Sequence, residues 1–462
     1  MTEIWVDSIN GTNQGHGGKE DPVLSIVYAL SLLSGGNDKL WVRGVFKDGL
    51  KLSGLAPEGL VIDGQNDTLF FGFEGVPGNF DPLSYPARTW GSISISDCHN
   101  ITLKNMEVWG GIMQSLELND SHPEVGLKRI TLDNITVRHQ HQRGIFMGGH
   151  NIQDIIIKNC KVLDSVFDGP ETHGIYLSGG HWRPDYGVKD IQIMNTTVAY
   201  AFGRHGFQFN GRCIGLKVEG CTFFHNEMAG ISLIGVQKAL IRNNTIYGNN
   251  RQGIVIYDYD HNVDCRTANR DITISNNTVV VGPKQWKRDA WHNNTPDTMP
   301  AVAVNCNLGK YGKGLMPKNI VIENNLFRLP SDRVLAFSYE WDAKATTCRG
   351  NLIWCGPDTM PHVYAPTGVY DMPWLDKNAP KYYHDNVYEA PKFAKSPAYD
   401  FVDLSNGPFD FRYHNTDANL YSSVAATLGV GAKIPHPSIE VLNNNVMSER
   451  ATGKQVGPWW EK

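Results

Sequence analysis

Along the middle of the chain, apolar residues alternate with polar ones for four or five positions, stop at a polar turn and start again. The copies read Gly144-Ile145-Phe146-Met147-Gly148-Gly149, Gly174-Ile175-Tyr176-Leu177-Ser178-Gly179, Gly206-Phe207-Gln208-Phe209-Asn210-Gly211, Gly230-Ile231-Ser232-Leu233-Ile234-Gly235 and Gly253-Ile254-Val255-Ile256-Tyr257-Asp258. Weaker versions run from Ser92 to Ser96, Ser115 to Asn119 and Ala301 to Asn305. Alternation with a period of two marks a strand with one buried face. A second strand repeats equally well, as Ile101 to Val108, Ile130 to Val137, Ile155 to Val162, Ile191 to Val198, Leu216 to Phe223, Ala239 to Ile246, Ile272 to Val279 and Ile320 to Phe327. Within it Asn recurs at one place, as Asn105, Asn134, Asn159, Asn195, Asn243, Asn276 and Asn324, with Gly220 once in its stead. Asn tolerates left-handed backbone and its amide bonds neighbouring backbone, so the spacing predicts a sharp corner there. No helix-length segment separates the strands, which rules out βαβ units. The strands must stack as a β-solenoid, each coil stabilised mainly by its neighbours.

Residues 1–90 are expected to form an N-terminal cap and the first coils. Val23, Ile26, Val27, Leu30 and Leu33 recur at helical spacing ahead of Gly35-Gly36, and a short amphipathic helix there would cover the open end of the solenoid. Coils are expected over 91–355, followed by an irregular segment, 356–462, that packs on the solenoid and caps it as part of the same unit. Two insertions break the rhythm, His181 to Tyr186 and Pro283 to Pro300, and long loops on a rigid scaffold tend to sit on its functional face.

With 462 residues the chain exceeds what one compact core usually fills, which suits an elongated repeat. A net charge of −5 argues against a nucleic-acid partner held by bulk electrostatics. No apolar run is long enough to cross a membrane, and Met1 to Val6 lacks a signal-peptide pattern. The eight cysteines include no CxxC pair of the metal-binding type. Cys160 and Cys221 follow the corner position and read as inward, stacked and reduced, whereas a disulfide between Cys348 and Cys355 is left open.

The opening Ile4-Trp5-Val6-Asp7-Ser8-Ile9-Asn10-Gly11, the helix with Ala29-Leu30, Leu40-Trp41-Val42-Arg43-Gly44, and coils such as Ile272 to Val279 resemble the pectate-lyase-like, right-handed parallel β-helix superfamily. The resemblance covers most of the chain and implies an all-β parallel β-helix. It also implies action on a polysaccharide bound along one face, by members that include lyases, glycoside hydrolases, uronan epimerases, esterases and phage tailspikes. From the activity so implied, an extracellular or phage-associated location is expected.

Alternation sorts the outward side chains into rows. One is Glu117, Phe146, Tyr176, Gln208, Ser232 and Val255, and the next is Asn119, Gly148, Ser178, Asn210, Ile234 and Tyr257. Just before the leading Gly stand Arg143, His173 and His205, with Arg204 beside the last, and nearby loops add His139, His141, Asp168 and Glu171. Removing the C5 proton of a uronate needs a base, neutralisation of the adjacent carboxylate and an acid for the leaving oxygen. His173 or His205 would be the base, Tyr176 or the other His the acid, and Arg143 or Arg204 the carboxylate clamp. Asp168 and Glu171 would orient a His or bind a cation. His139 and His141 read as surface polar residues, and Asn119 and Asn210 as sugar-binding or turn-bonding. Glu117, Phe146, Ser178, Gln208, Tyr257, Asp258, Trp182, Arg183 and Trp286 complete the expected substrate contacts, since aromatic faces stack on sugar rings.

A hydrolase would instead need two carboxylates, about 5 Å or about 6.5–9.5 Å apart, from Asp168, Glu171, Glu227, Asp258 and Asp260. The sequence assigns no cofactor; calcium is the candidate ion, with no site placed. The expectation is a monomeric polysaccharide lyase acting on an acidic glycan, with a glycoside hydrolase or a non-catalytic glycan-binding or tailspike-type protein as alternatives.

Overall fold

A computed structural model describes residues 2–54, 59–73, 92–111, 113–163, 165, 172–179, 187–258, 268–281, 299–306, 317–337 and 346–391. The strands wind in one direction and pair in parallel with the next coil, giving a solenoid of three faces. The first face holds strands such as Gln114–Asn119, Arg143–Gly149 and His173–Gly179. The second holds Asn151–Lys158 and Gly187–Met194, and the third Lys161–Leu163 and Thr197–Ala199. Long strands such as Phe207–Glu219 and Ile231–Arg242 bend from the first face into the second. Parallel pairing starts at Glu3–Asp7 and continues to Tyr383–His384, past residue 355. The core is one narrow apolar column, running from Ile4 through Ile145, Leu177, Phe209 and Ile256 to Val363.

Left-handed backbone turns the corner at every expected asparagine, from Asn105 (φ 57°) to Asn324 (φ 55°), and Gly220 takes the same turn at φ 65°. A second left-handed column at Asn100, Arg129, Asp154, Asp190, Lys238, Asp271 and Asn319 lies within the second face and carries no single residue type. The residue after the corner asparagine points inward. It is Cys160, Thr196 and Cys221 in the middle coils and then becomes a buried amide column, Asn244, Asn277, Asn325 and Asn351. Asn277 Nδ2 donates to Asn325 Oδ1 and to the Ile241 carbonyl, both at 2.9 Å. Its Oδ1 accepts from the Asn244 backbone N–H (3.0 Å) and Nδ2 (2.9 Å). Each amide thus satisfies backbone groups that the corner takes out of the ladder.

Cys160 and Cys221 are buried free thiols as expected, and burial pushes each up to about 12. Cys348 and Cys355 are also free, which corrects the disulfide alternative. The Cys348 side chain takes a hydrogen bond from Asn351 Nδ2 (3.3 Å), and Cys355 follows Leu352–Trp354 on another face.

The N-terminal helix is shorter than its apolar spacing suggests, Ile26–Ser31, capped by Ser25. Ile26 and Ala29 join the core, while Val27 is 69% exposed and Val23 bridges to Val6 instead. At the other end His362–Ala365 pairs antiparallel with Gly368–Asp371, and the helix Met372–Asn378 follows. The hairpin covers the last open strand edge of the first face. Among the described residues no helix is long and apolar enough to cross a membrane.

The glycines that open each first-face strand sit where that face closes against the third. A Cβ on Gly174 would lie 2.2 Å from Val198 Cγ1 and 2.7 Å from the Gly206 carbonyl oxygen. Gly174→Ala is expected to cost about 1–3 kcal/mol by overpacking, measured as a lowered urea midpoint. Asn277→Ala strands the Asn244 donors and the Ile241 carbonyl in the core, and a loss of about 2–5 kcal/mol is expected in the same measurement.

Candidate functional site

In-register pairing aligns the outward rows. Glu117, Phe146, Tyr176, Gln208, Ser232 and Val255 are successive partners, as are Asn119, Gly148, Ser178, Asn210, Ile234 and Tyr257. Arg143 pairs with His173, and the Gly174 N–H donates to the His205 carbonyl at 3.2 Å, so the row before the glycines is also continuous. With coils about 4.8 Å apart, side chains in one row touch or nearly touch.

The contacts that result bind the middle coils into one group. The His173 and His205 rings stack at 5.8 Å, and His173 lies 4.9 Å from the Tyr176 ring. Tyr176 stacks on Phe146 at 6.0 Å with the rings nearly parallel. The Arg143 guanidinium lies over both, 5.1 Å from Phe146 and 4.9 Å from Tyr176, a cation–π clamp over two rings. Asn210 Nδ2 donates to the Tyr176 hydroxyl oxygen at 2.8 Å, so this amide bonds a neighbouring coil's side chain. Because that oxygen is an acceptor in this bond, the phenolic proton is directed elsewhere.

The two histidines differ in what holds their rings. His173 is 1% exposed, and burial, reinforced by His205, Arg204 and Arg143, holds it well below the ordinary histidine value of 6.5. It is a neutral imidazole near pH 7. Its Nδ1 is sealed and has no hydrogen-bond partner. His205 Nδ1 accepts the Ala229 backbone N–H at 3.1 Å, so in a neutral ring the proton sits on Nε2 and that nitrogen is a donor.

The remaining expected residues spread out from this centre. Glu117 and Asn119 lie one coil before Phe146 and Gly148, and Ser94 Oγ donates to Glu117 at 3.4 Å. Ser178 sits between Gly148 and Asn210. Tyr257 is separated from Asn210 by Ile234, and Asp258 ends the strand Ile254–Asp258. Arg204 is half-buried beside His205. Asp168, Glu171, Trp182, Arg183, Trp286 and Asp260 lie outside the described residues. His139 is not a surface group, and His141 is half-buried. His139 is buried edge-on against Trp109 at 5.1 Å, and His141 packs near Phe73 at 5.9 Å, where burial lowers its pKa.

Three features escaped the sequence reading. These are the Asn210 bond to Tyr176, the Ala229 N–H that fixes the His205 tautomer, and a neighbouring group in which Asn250 Nδ2 donates to Glu227 at 2.9 Å beside Arg251. Only the last had a signal, the repeated Asn249-Asn250 after a third-face strand.

The family model described as right handed beta helix region matches residues 88–235 and 143–283. No curated protein sequence matches the chain significantly. Solved structures similar in fold include a pectate lyase, Pel9A, at 12% identity and TM-score 0.39, covering 96% of this chain and 90% of that one. A complex of XylC with xylose has 11% identity and TM-score 0.48, covering 86% and 88%. The A-module of the Azotobacter vinelandii mannuronan C-5 epimerase AlgE4 has 12% identity and TM-score 0.42, covering 73% and 88%. The family match, together with parallel coils of three faces, gives this chain a right-handed parallel β-helix fold.

Proposed function

We propose that the protein is a polysaccharide lyase that cleaves an acidic glycan by β-elimination at the His173, Tyr176, His205 and Arg143 cluster. The observation that carries this reading is a neutral, buried His173 in ring contact with both Tyr176 and His205 under an arginine, on the outward face of the middle coils. Polymer could extend from there along the rows. His173 Nε2 takes the C5 proton of a uronate, and the electron pair left on carbon forms the C4=C5 double bond as the C4–O glycosidic bond breaks. The leaving oxygen takes its proton from the Tyr176 hydroxyl, which Asn210 orients. Arg143, Arg204 and the His205 Nε2–H supply positive charge and a donor for the carboxylate, and the C5–H becomes more acidic as that charge is neutralised. Water then returns a proton to Tyr176 and removes one from His173.

The test incubates the purified protein with a panel of acidic and neutral polysaccharides and follows both the ultraviolet absorbance of unsaturated uronate ends and the appearance of reducing ends. Both are expected to rise together, and His173→Ala and Tyr176→Phe are each expected to lower the rate by about 10²–10⁴-fold, the usual share of one acid–base group. Reducing ends without absorbance overturn the lyase in favour of a hydrolase built on Glu227 and residues outside those described. Neither signal across the panel favours a glycan-binding protein.

The pH profile provides a separate check on the base. A base must be unprotonated, and His173 is held below 6.5, so kcat/KM for an active substrate is expected to stay level down to that value and to fall only below it. A limb at or above 6.5 assigns the base elsewhere.

A further inference from the structure

One position before Arg143, His173 and His205 runs another row, and beyond Gln142 and Thr172 it holds Arg204, Met228 and Arg251. The Met228 N–H donates to the Arg204 carbonyl at 2.9 Å and the Gly230 N–H to the Gln252 carbonyl at 3.3 Å, which sets these three on successive coils. Arg204 stands beside His205, and Arg251 lies two coil spacings further on, about 10 Å. Both arginines are half-buried, whereas Met228 between them keeps 7% of its surface.

Among the described residues neither arginine side chain makes a hydrogen bond or an ion pair, and none of their nitrogens is sealed from solvent. Burial, joined by the like charge of Arg204, lowers the Arg251 pKa against the opposing pull of Tyr257 and Glu227, so these groups lie within electrostatic reach of one another. Glu227 takes a bond from Asn250 Nδ2 at 2.9 Å, and its charge offsets one of the two cations. Tyr257 is half-buried, with its ring packed on Ala229, Val255 and Ala303. Two guanidinium groups against one carboxylate leave a patch that is open, positive and short of an anion.

We infer that Arg251, with Tyr257 beside it, forms a second carboxylate subsite, which binds an acidic sugar of the same polymer two coils beyond the one held by Arg143 and Arg204. This rests on the polysaccharide reading above and adds what the polymer must carry away from the cleaved bond: the protein selects a run of acidic sugars rather than a single one.

The experiment compares polyuronate with samples in which a rising fraction of the carboxylates is methyl-esterified at random. Two required carboxylates make kcat/KM fall as the square of the free fraction in the wild type, and loss of one makes it fall linearly in Arg251→Ala. On intact polyuronate, Arg251→Ala is expected to raise KM about ten- to a hundredfold, the worth of a hydrogen bond to a charged group, and to leave kcat within about twofold. Arg251→Lys, which keeps the charge without the fork, is expected to recover part of the loss and carries the same readouts should the alanine variant fail to fold. An unchanged KM, a loss confined to kcat, or a square dependence that persists without the arginine overturns the subsite. If no polyuronate is turned over, titration calorimetry uses uronate tetrasaccharides, intact or with their carboxylates reduced to alcohols. Binding that is lost on reduction and weakened tenfold or more in Arg251→Ala supports the subsite while overturning the lyase. Binding indifferent to Arg251, or no binding, overturns the subsite as well.

Discussion

Parallel backbone hydrogen bonding between coils at one fixed spacing is the constraint from which the other features of this molecule follow. No coil can bury its apolar face or pair its own backbone alone, so each position acquires its surroundings from the same position one coil away. Ile145 meets Ile175, which meets Phe207 in the core, and on the outside Phe146 meets Tyr176, which meets Gln208. Function on such a scaffold is written as a column. Arg143, His173 and His205 are distant in sequence and adjacent in space because each occupies the position before a glycine that permits close packing against the third face.

The columns themselves were legible in the sequence because a period of two has only two phases and the inward phase is apolar. The corner asparagines were legible because their identity repeats and left-handed backbone explains it. The second corner was not, since Arg129, Asp154 and Lys238 share a backbone angle but no chemistry. Nor was the switch of the inward corner column from thiol to amide, although doubled asparagines such as Asn276-Asn277 marked it. Helical spacing misled at Val27 because Val23, the start of the pattern, is used as a strand bridge. At the site, the row membership of His173, Tyr176 and Asn210 was readable. What each atom bonds was not, because it depends on contacts between residues 24 to 34 positions apart whose intervening turns vary in length.

The site also shows how a uniform fold produces unequal chemistry. Two buried histidines in the same column have different surroundings: burial keeps His173 neutral beside Tyr176, while the Ala229 backbone N–H occupies Nδ1 of His205. Equivalent positions in the winding thus acquire different ring chemistry from their own coil's contacts.

The amide column has a consequence for how such a chain can change length. Consecutive members are 33, 48 and 26 residues apart, yet every one sits at the same height in its coil and bonds the next. Gaining or losing one residue between a strand and its corner would move the amide out of register with the next one in the column. Extra residues in a turn, or the removal of a whole coil, leave the bonded column intact. Variation in a molecule of this kind is therefore quantised: it proceeds by whole turns of the winding or by growth of the loops, and the column of asparagines acts as the ruler that rejects anything between.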